Sequence, residues 1–162
     1  MLEGLQRLCS LQLVKKKRCK MMQSITSVMV KDHKGLMGLF NDLKKIKDKD
    51  RNKANELFKK LDKQLKNHFN IEENAINLAF GRNGSALPII SSLKSEHGSI
   101  REILDGIRYS IKGNGHKIGT SSLYLMLEHH KNVEERLFYP ELDELLSEKD
   151  KGIITEKIRS VR

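Results

Sequence analysis

The sequence predicts an all-α protein, folded as an up-down-up-down four-helix bundle. Only two of its 162 residues are proline. From Ser24 onward apolar residues recur every three or four positions, which is the period of a helix with one buried face. The breaks in this pattern are short and are polar or glycine-rich, as is typical of connections between antiparallel helices.

Four apolar stripes define the four helices. In chain order the stripes are Ile25, Met29, His33, Leu36, Phe40 and Leu43; Leu57, Leu61, Leu65, His68, Glu72, Ile76 and Ala79; Ile90, Leu93, His97, Ile100, Leu104, Ile107 and Ile111; and Leu123, Met126, His130, Glu134 and Leu137. Residues 47–50, 81–85 and 113–115 are the predicted connections. Each stripe therefore contains at least one histidine among its apolar residues.

Two prolines bear on the helix ends. Pro88 suits the first turn of the third helix, where a missing N–H costs little. Pro140 is expected to kink or end the fourth helix, with Leu142 and Leu145 continuing its apolar face. A short fifth helix is expected around residues 151–159.

The first 20 residues differ in composition from the rest. They hold six of the 31 basic side chains against a single glutamate, and so account for half of the net charge of +10. We expect residues 1–20 to be a basic N-terminal extension, either disordered or upstream of a true start at Met21 or Met22. Residues 21–162 are expected to form the bundle with its short C-terminal helix.

Features of the remaining composition narrow the class of protein. Cys9 and Cys19 are the only cysteines and lack the spacing of a zinc motif, so a reducing cytoplasm is the expected compartment. No window holds eighteen uninterrupted apolar residues, so no transmembrane segment is predicted. We predict no catalytic residues and no organic cofactor, because neither a phosphate-binding glycine loop nor a nucleophile elbow is present.

Two fragments of the chain, residues 68–73 and 130–135, are near-copies of each other. In each, a histidine precedes a glutamate by four residues, which places both side chains on one helix face. His33 and His97 occupy the preceding stripes, so the chain consists of two helix hairpins with the same set of polar residues.

Glutamate at a core-facing position is costly unless its charge is compensated. No lysine or arginine shares the stripes of Glu72 and Glu134, whereas a pair of metal ions would supply the charge. Imidazole and carboxylate suit iron, manganese and zinc. We therefore predict a dinuclear metal site in the core. The six predicted ligands are His33, His68, Glu72, His97, His130 and Glu134.

The polar residues next to the predicted ligands are not themselves predicted to bind metal. Glu73 and Glu135 lie about 100° around the helix from the stripe and are expected to be solvated more than to contact the ligands. Asp32 and Glu96 are expected to face outward, and His116 to be solvated in its loop. His129 is interpreted as a surface residue or as a support for a ligand.

Together these residues resemble the hemerythrin-like family, also called the HHE cation-binding domain. The resemblance rests on the six predicted ligands and on residues 134–140, which are similar to the family's fourth-helix signature. It covers roughly residues 22–146. It implies a four-helix bundle holding two non-haem irons, bridged by the two glutamates and an oxo or hydroxo group. Manganese and zinc remain compatible with the ligand types.

One position departs from the oxygen carriers of the family. They usually have a second histidine four residues after the third-helix histidine, where this chain has Arg101. The remaining four histidines and two carboxylates are more similar to related di-iron proteins that protect or repair iron centres under nitric oxide or oxidative stress. The resemblance thus implies a protein that binds or senses O2, NO or peroxide, with at most weak redox activity.

Two other classes of function stay open at this point. One is a basic helical module that binds nucleic acid or an anionic membrane through residues 15–20, with strong salt dependence. The other is a metal-free structural bundle whose melting temperature is unchanged by chelator. Neither explains the glutamates on core stripes, and no specific nucleic-acid or protein partner is predicted.

Overall fold

The computed structural model describes residues 24–81, 87–113 and 118–161, and within these ranges the chain is helical without a strand. The predicted all-α class is confirmed. The elements are α1 Ile25–Ile46, α2 Arg51–Phe80, α3 Pro88–Lys112, α4 Ser121–Val133, a π-helical turn Glu134–Phe138, α5 Tyr139–Leu145 and α6 Glu148–Ser160. The predicted N-terminal extension, most of the 81–85 loop and His116 lie outside the described residues.

Helix starts follow the local sequence. Ser24, Asp50 and Ser147 each accept, through the side chain, the backbone N–H three residues further on, at 2.9–3.2 Å. Pro88 lies in the first turn of α3, as expected. None of the helices in the described ranges is long and apolar enough to cross a membrane.

Two apolar clusters lie on either side of the buried histidines and glutamates. The Phe58 cluster comprises Leu36, Phe40, Leu43, Ala54, Phe58, Leu61, Leu65, Phe69, Ile100, Leu104, Ile107, Ile111, Ile118, Leu123 and Leu127. The Phe138 cluster comprises Ile25, Val28, Met29, Ile71, Ala75, Ile76, Ile90, Leu93, Phe138, Tyr139, Leu142, Leu146, Ile154 and Ile158. Full burial of one such large apolar side chain contributes about 1.5–3 kcal/mol.

The helices alternate in direction between these clusters. Helices α1 and α3 begin in the Phe138 cluster and end in the Phe58 cluster, whereas α2 and the α4–α5 segment run the opposite way. Helix α1 packs on α2, α2 on α3, and α3 on α4, while α5 and α6 both contact α1 and α2. Every long helical segment therefore crosses the polar layer between the clusters.

Beyond Glu134 the predicted apolar face is wrong at two leucines, although Leu142 is buried as expected. Leu137 and Leu145 are exposed, while Phe138, Tyr139 and Leu146 are buried. The cause is the π turn, which holds more residues per turn than an α-helix and so rotates every later residue relative to α-helical register. Pro140 does not end the helical segment, because α5 continues to Leu145.

Candidate metal centre

The six predicted ligands lie together in the layer between the two clusters. All six residues are buried, since each is at most 4% exposed. They form two groups that share both glutamates, and the donor atoms of each group lie within 4.8 Å of one another. We call the groups the first half-site, with His33 and His68, and the second half-site, with His97 and His130.

In the first half-site the imidazoles meet directly. The Nε2 atoms of His33 and His68 are 2.9 Å apart. Glu72 Oε1 lies 3.1 Å from His68 Nε2, and Glu134 Oε2 lies 3.4 Å from His33 Nε2. Four donor atoms from three helical segments thus face a common point.

The second half-site repeats this geometry with the other oxygens of the same carboxylates. The Nε2 atoms of His97 and His130 are 3.1 Å apart. Glu72 Oε2 lies 3.2 Å from His97 Nε2, and Glu134 Oε1 lies 3.3 Å from His130 Nε2. Each glutamate therefore spans the two half-sites, as a bridging carboxylate does.

The site's unsatisfied atoms fit a pair of cations. Among the described residues, Glu72 Oε2 and Glu134 Oε1 are buried without a hydrogen-bond partner. Leaving a buried acceptor unsatisfied costs about 1–3 kcal/mol, and more when it is charged. A metal ion bound about 2.0–2.2 Å from each donor would satisfy both oxygens and the facing imidazole lone pairs.

Carboxylates behind the imidazoles hold three of the four rings. The Nδ1 atom of His68 lies 2.9 Å from Asp32, that of His130 lies 2.8 Å from Glu96, and that of His33 lies 2.9 Å from Glu135. Such a carboxylate keeps the ring proton on Nδ1, so that Nε2 turns its lone pair to the centre.

The expectation that these carboxylates face solvent is therefore wrong. Asp32 and Glu96 pair with the histidines of the adjacent helix, and Glu135 pairs across the molecule with α1. A signal existed in the sequence: an acidic residue precedes His33 and His97 alike, and another follows both Glu72 and Glu134. Glu73 is the looser member, 3.7 Å from His97 Nδ1.

Tyr139 contacts the predicted ligands, although the helical pattern of the sequence did not predict this. Its buried hydroxyl lies 2.5 Å from Glu72 Oε1, 2.9 Å from Glu134 Oε2 and 3.1 Å from His33 Nε2. In an α-helix a residue five positions after Glu134 would lie about 140° around the axis. Only the π turn brings Tyr139 onto the ligand face, so helical periodicity gave no indication of it.

Burial and nearby charges shift the pKa values of Glu72 and Glu134 in opposite directions. Burial, with the nearby Glu72 charge, raises the pKa of Glu134 well above its usual value. Burial also acts to raise the pKa of Glu72, but the charge and hydrogen bond of His68, together with the nearby imidazole of His97, hold it well below its usual value. The pKa values of the two carboxylates are thus shifted in opposite directions.

The pKa values of the two histidines in the first half-site are also shifted in opposite directions. Burial and the charge of His68 lower the pKa of His33 to about 3. Burial also acts to lower the pKa of His68, but the Glu72 carboxylate and the Asp32 hydrogen bond outweigh it and raise the pKa to about 9. Burial, followed by the charges of Glu134 and Glu72, raises the pKa of Tyr139 well above its usual value.

An apolar cavity of about 20 Å³ adjoins the half-sites on the side of the Phe58 cluster. That volume holds a molecule about the size of one water. Its lining comprises His33, Leu36, Met37, Leu65, His68, Phe69, Leu127, His130 and Lys131. Tyr139 does not line this cavity, and its ring belongs to the Phe138 cluster.

A family model for the hemerythrin HHE cation-binding domain matches residues 24–119. The chain belongs to this family. The matched range includes His33, His68, Glu72 and His97. His130 and Glu134 lie beyond it, and the fold brings them to the same layer. No curated protein and no solved structure matches the chain.

Arg101 occupies the position where oxygen-carrying hemerythrins usually have a histidine. Its guanidinium lies outside the donor groups, donating to Glu73 at 3.2 Å and lying 5.4 Å from the centre of the Phe69 ring. Phe69 in turn stacks on His97, with 4.0 Å between ring centres. Arg101 therefore supports the outer side of the second half-site instead of adding a donor.

Proposed function

We propose that this protein is a non-haem di-iron protein that binds or senses a small diatomic or redox ligand, O2, NO or peroxide. It would act in the oxidative or nitrosative stress response, or in the protection of iron centres. The observation that supports this best is the division of each glutamate's two oxygens between the two histidine pairs. A dinuclear centre requires such bridging donors, whereas a structural ion pair does not.

The proposed ligands are His33, His68, Glu72, His97, His130 and Glu134, which give four imidazoles and two carboxylates. Imidazole and carboxylate suit iron, with manganese and zinc as the other compatible metals. When bound, the iron pair would supply the redox chemistry and the position for the small ligand. The protein's own residues hold the donors, keep the ring protons on Nδ1 and exclude water.

The adjoining cavity supports a ligand of few atoms. At about 20 Å³ it accommodates a small molecule such as O2 or NO more readily than an organic substrate. Four shared donors per ion leave coordination positions for an exchangeable ligand. With Arg101 outside the donor groups, the centre has fewer protein ligands than an oxygen carrier of the family.

We further propose that the long helical segments form the up-down-up-down four-helix bundle that the sequence predicts. The alternating direction of α1, α2, α3 and the α4–α5 segment between the clusters supports this arrangement. Polar donors in the middle of each segment then meet at mid-height, as in other helical dinuclear centres.

Anaerobic loading with ferrous iron tests the proposal directly. We expect about two irons per chain, because the donors form two groups. Addition of O2 or NO should then produce a new charge-transfer absorption. Glu156→Ala, on the exposed face of α6, is the matched control and should load like the wild type. A chain that takes up no iron, with a melting temperature unchanged by chelator, would instead be a metal-free structural bundle.

A further inference from the structure

Each half-site has two imidazole nitrogens and two carboxylate oxygens as donors, but their surroundings differ. The first contains a fifth possible donor atom, because the Tyr139 hydroxyl lies 2.5–3.1 Å from Glu72 Oε1, Glu134 Oε2 and His33 Nε2. In the second, the facing oxygens of Glu72 and Glu134 have no hydrogen-bond partner among the described residues. The asymmetry thus concerns one atom at the centre.

The spacing around the Tyr139 oxygen is that of ligands around one ion. Two donors about 2.1 Å from a metal and 90° apart are separated by about 3.0 Å. Neighbouring donors in the first half-site are 2.5 Å apart, for Tyr139 to Glu72, to 3.4 Å apart, for His33 to Glu134, and its four predicted donors all lie within 4.8 Å of one another. The phenol oxygen therefore occupies the place of a further ligand beside the four predicted ones.

The π turn that positions Tyr139 occurs in only one of the two hairpins. The N–H of Tyr139 donates to the carbonyl of Glu134, five residues earlier, which is the defining bond of this turn. Helix α2 is uninterrupted from Arg51 to Phe80, and the residue five positions after Glu72 is Asn77, which is exposed. The sequence repeat thus supplies no equivalent oxygen to the second half-site.

Neighbouring residues of the π turn and of α5 hold the ring of Tyr139 in place. Phe138 and Leu142 beside it are buried in the Phe138 cluster. Asp143 accepts hydrogen bonds from the N–H of Ile25 at 2.6 Å and of Thr26 at 3.0 Å, which joins α5 to the start of α1. Because α1 carries His33, this contact holds the phenol and an imidazole of the same half-site in register.

We propose that Tyr139 is a metal ligand of the first half-site through its phenol oxygen, which makes the two metal positions inequivalent. The first position then has five protein donors and the second has four. The oxygen–metal bond replaces the O–H bond, and the proton leaves to solvent as it does from other protonated ligands on metal binding. This inference rests on the proposed function, because it requires iron in the centre.

Phenolate bound to ferric iron has a visible charge-transfer band, which gives a readout independent of activity. Tyr109, Tyr124 and Tyr139 are the only tyrosines of the chain. In the double variant Tyr109→Phe/Tyr124→Phe, Tyr139 is therefore the only source of a phenolate signal. Tyr109 is 73% exposed and Tyr124 is 39% exposed, so neither change is expected to disturb the core.

The experiment loads this double variant with iron, oxidises it and records visible absorption and resonance Raman spectra. Growth on ring-deuterated tyrosine provides the isotope control. We expect a visible band, enhanced ring vibrations that shift on deuteration, and loss of both in Tyr139→Phe. Iron content and helical circular dichroism are measured on every sample.

The outcomes separate this inference from the proposed function. Iron uptake without the band, or a band that persists in Tyr139→Phe, would overturn the ligand assignment and leave the di-iron proposal standing. Failure of the wild type to take up iron would overturn both. Should Tyr139→Phe not fold, the isotope shift in the double variant still decides, since its Tyr139 is intact.

Discussion

The two half-sites arise from one repeated sequence pattern, yet they are supported differently. In the first, both imidazoles have close carboxylates at Nδ1, Asp32 and Glu135, each at 2.9 Å. In the second, Glu96 is equally close to its histidine at 2.8 Å, but Glu73 is 3.7 Å from His97. The repeat determines which donor types are present, whereas neighbouring helices determine how firmly each is held.

Stacking and an ion pair replace the missing contact in the second half-site. Phe69 lies against His97, and Arg101 pairs with Glu73 at a position where both side chains are about two-fifths exposed, 42% and 38%. An exposed ion pair of this kind contributes about 0–1 kcal/mol. The first half-site has the buried Tyr139 hydroxyl instead. Equal donors in sequence therefore do not imply equal metal positions.

Removing a shared glutamate should have the largest effect, because it damages both half-sites together. We expect Glu72→Ala or Glu134→Ala to abolish binding of at least one metal per chain. The stabilisation by metal should fall accordingly, by about 2.7 kcal/mol for each site lost at a metal concentration of 100 Kd. Metal analysis and thermal melting measure both, with Glu156→Ala as the control. Full retention of metal in either variant would show that the ligands are wrongly assigned.

Removing equivalent histidines should distinguish the half-sites. His97→Ala leaves the second half-site with three donors, so we expect one metal per chain. His33→Ala leaves the first half-site with His68, both glutamates and Tyr139, so we expect two metals, with one bound more weakly. Titration with metal under matched conditions measures the difference. Equal stoichiometry in the two variants would show that Tyr139 does not compensate for a lost imidazole.

Truncating the carboxylates that contact the imidazole Nδ1 atoms should lower metal affinity to an intermediate extent. The loss should be larger where the carboxylate lies closer to Nδ1. We expect Asp32→Ala and Glu96→Ala to weaken metal affinity about 10–100-fold, as is usual when such a partner is lost. Glu73→Ala should have a smaller effect, because its oxygen is 3.7 Å from His97 and 38% of the side chain is exposed. Competition with a chelator of known affinity measures all three. A loss in Glu73→Ala as large as in Asp32→Ala would contradict this ranking.

Changing the pH by one unit should have a mild effect, about tenfold in affinity for each proton released, and should report mainly on the first half-site. His68 has a pKa raised to about 9 in the metal-free protein, so at neutral pH metal must displace its proton. Apparent metal affinity is therefore expected to rise with pH through pH 9, and loss of the Tyr139 phenol proton should extend the rise above that pH. Proton release during metal binding, measured in two buffers of different ionisation enthalpy, checks this. Binding without net proton release at pH 7 would contradict it.

The predicted part of the centre consists of residues whose position follows from helical period alone. His33, His68, Glu72, His97, His130 and Glu134 lie on apolar stripes, and burying a stripe necessarily buries its polar members. Their convergence was predictable because a buried glutamate needs compensating charge. Their role as metal ligands stays a prediction, which metal analysis will decide.

The parts that were wrong or missed depend on local register and on pairing between distant helices. Leu137 was expected to be buried, but the π turn at Glu134 rotates it to the surface and turns Tyr139 inward. Glu135 was expected to be solvated, but it meets His33, 102 residues away along the chain. Neither result follows from α-helical periodicity.

By itself the sequence determined the all-α class, the two repeated hairpins and the six buried histidines and glutamates of the core. These depend on the alternation of apolar and polar side chains at a fixed period, which is a local property of the chain. The tertiary structure alone decided the asymmetry of the centre, through the Tyr139 hydroxyl and the unequal contacts of Glu73 and Glu135. The physical reason is that one extra residue in a turn, and the fit between α1 and the end of the fourth segment, set atomic positions that hydrophobic periodicity does not encode.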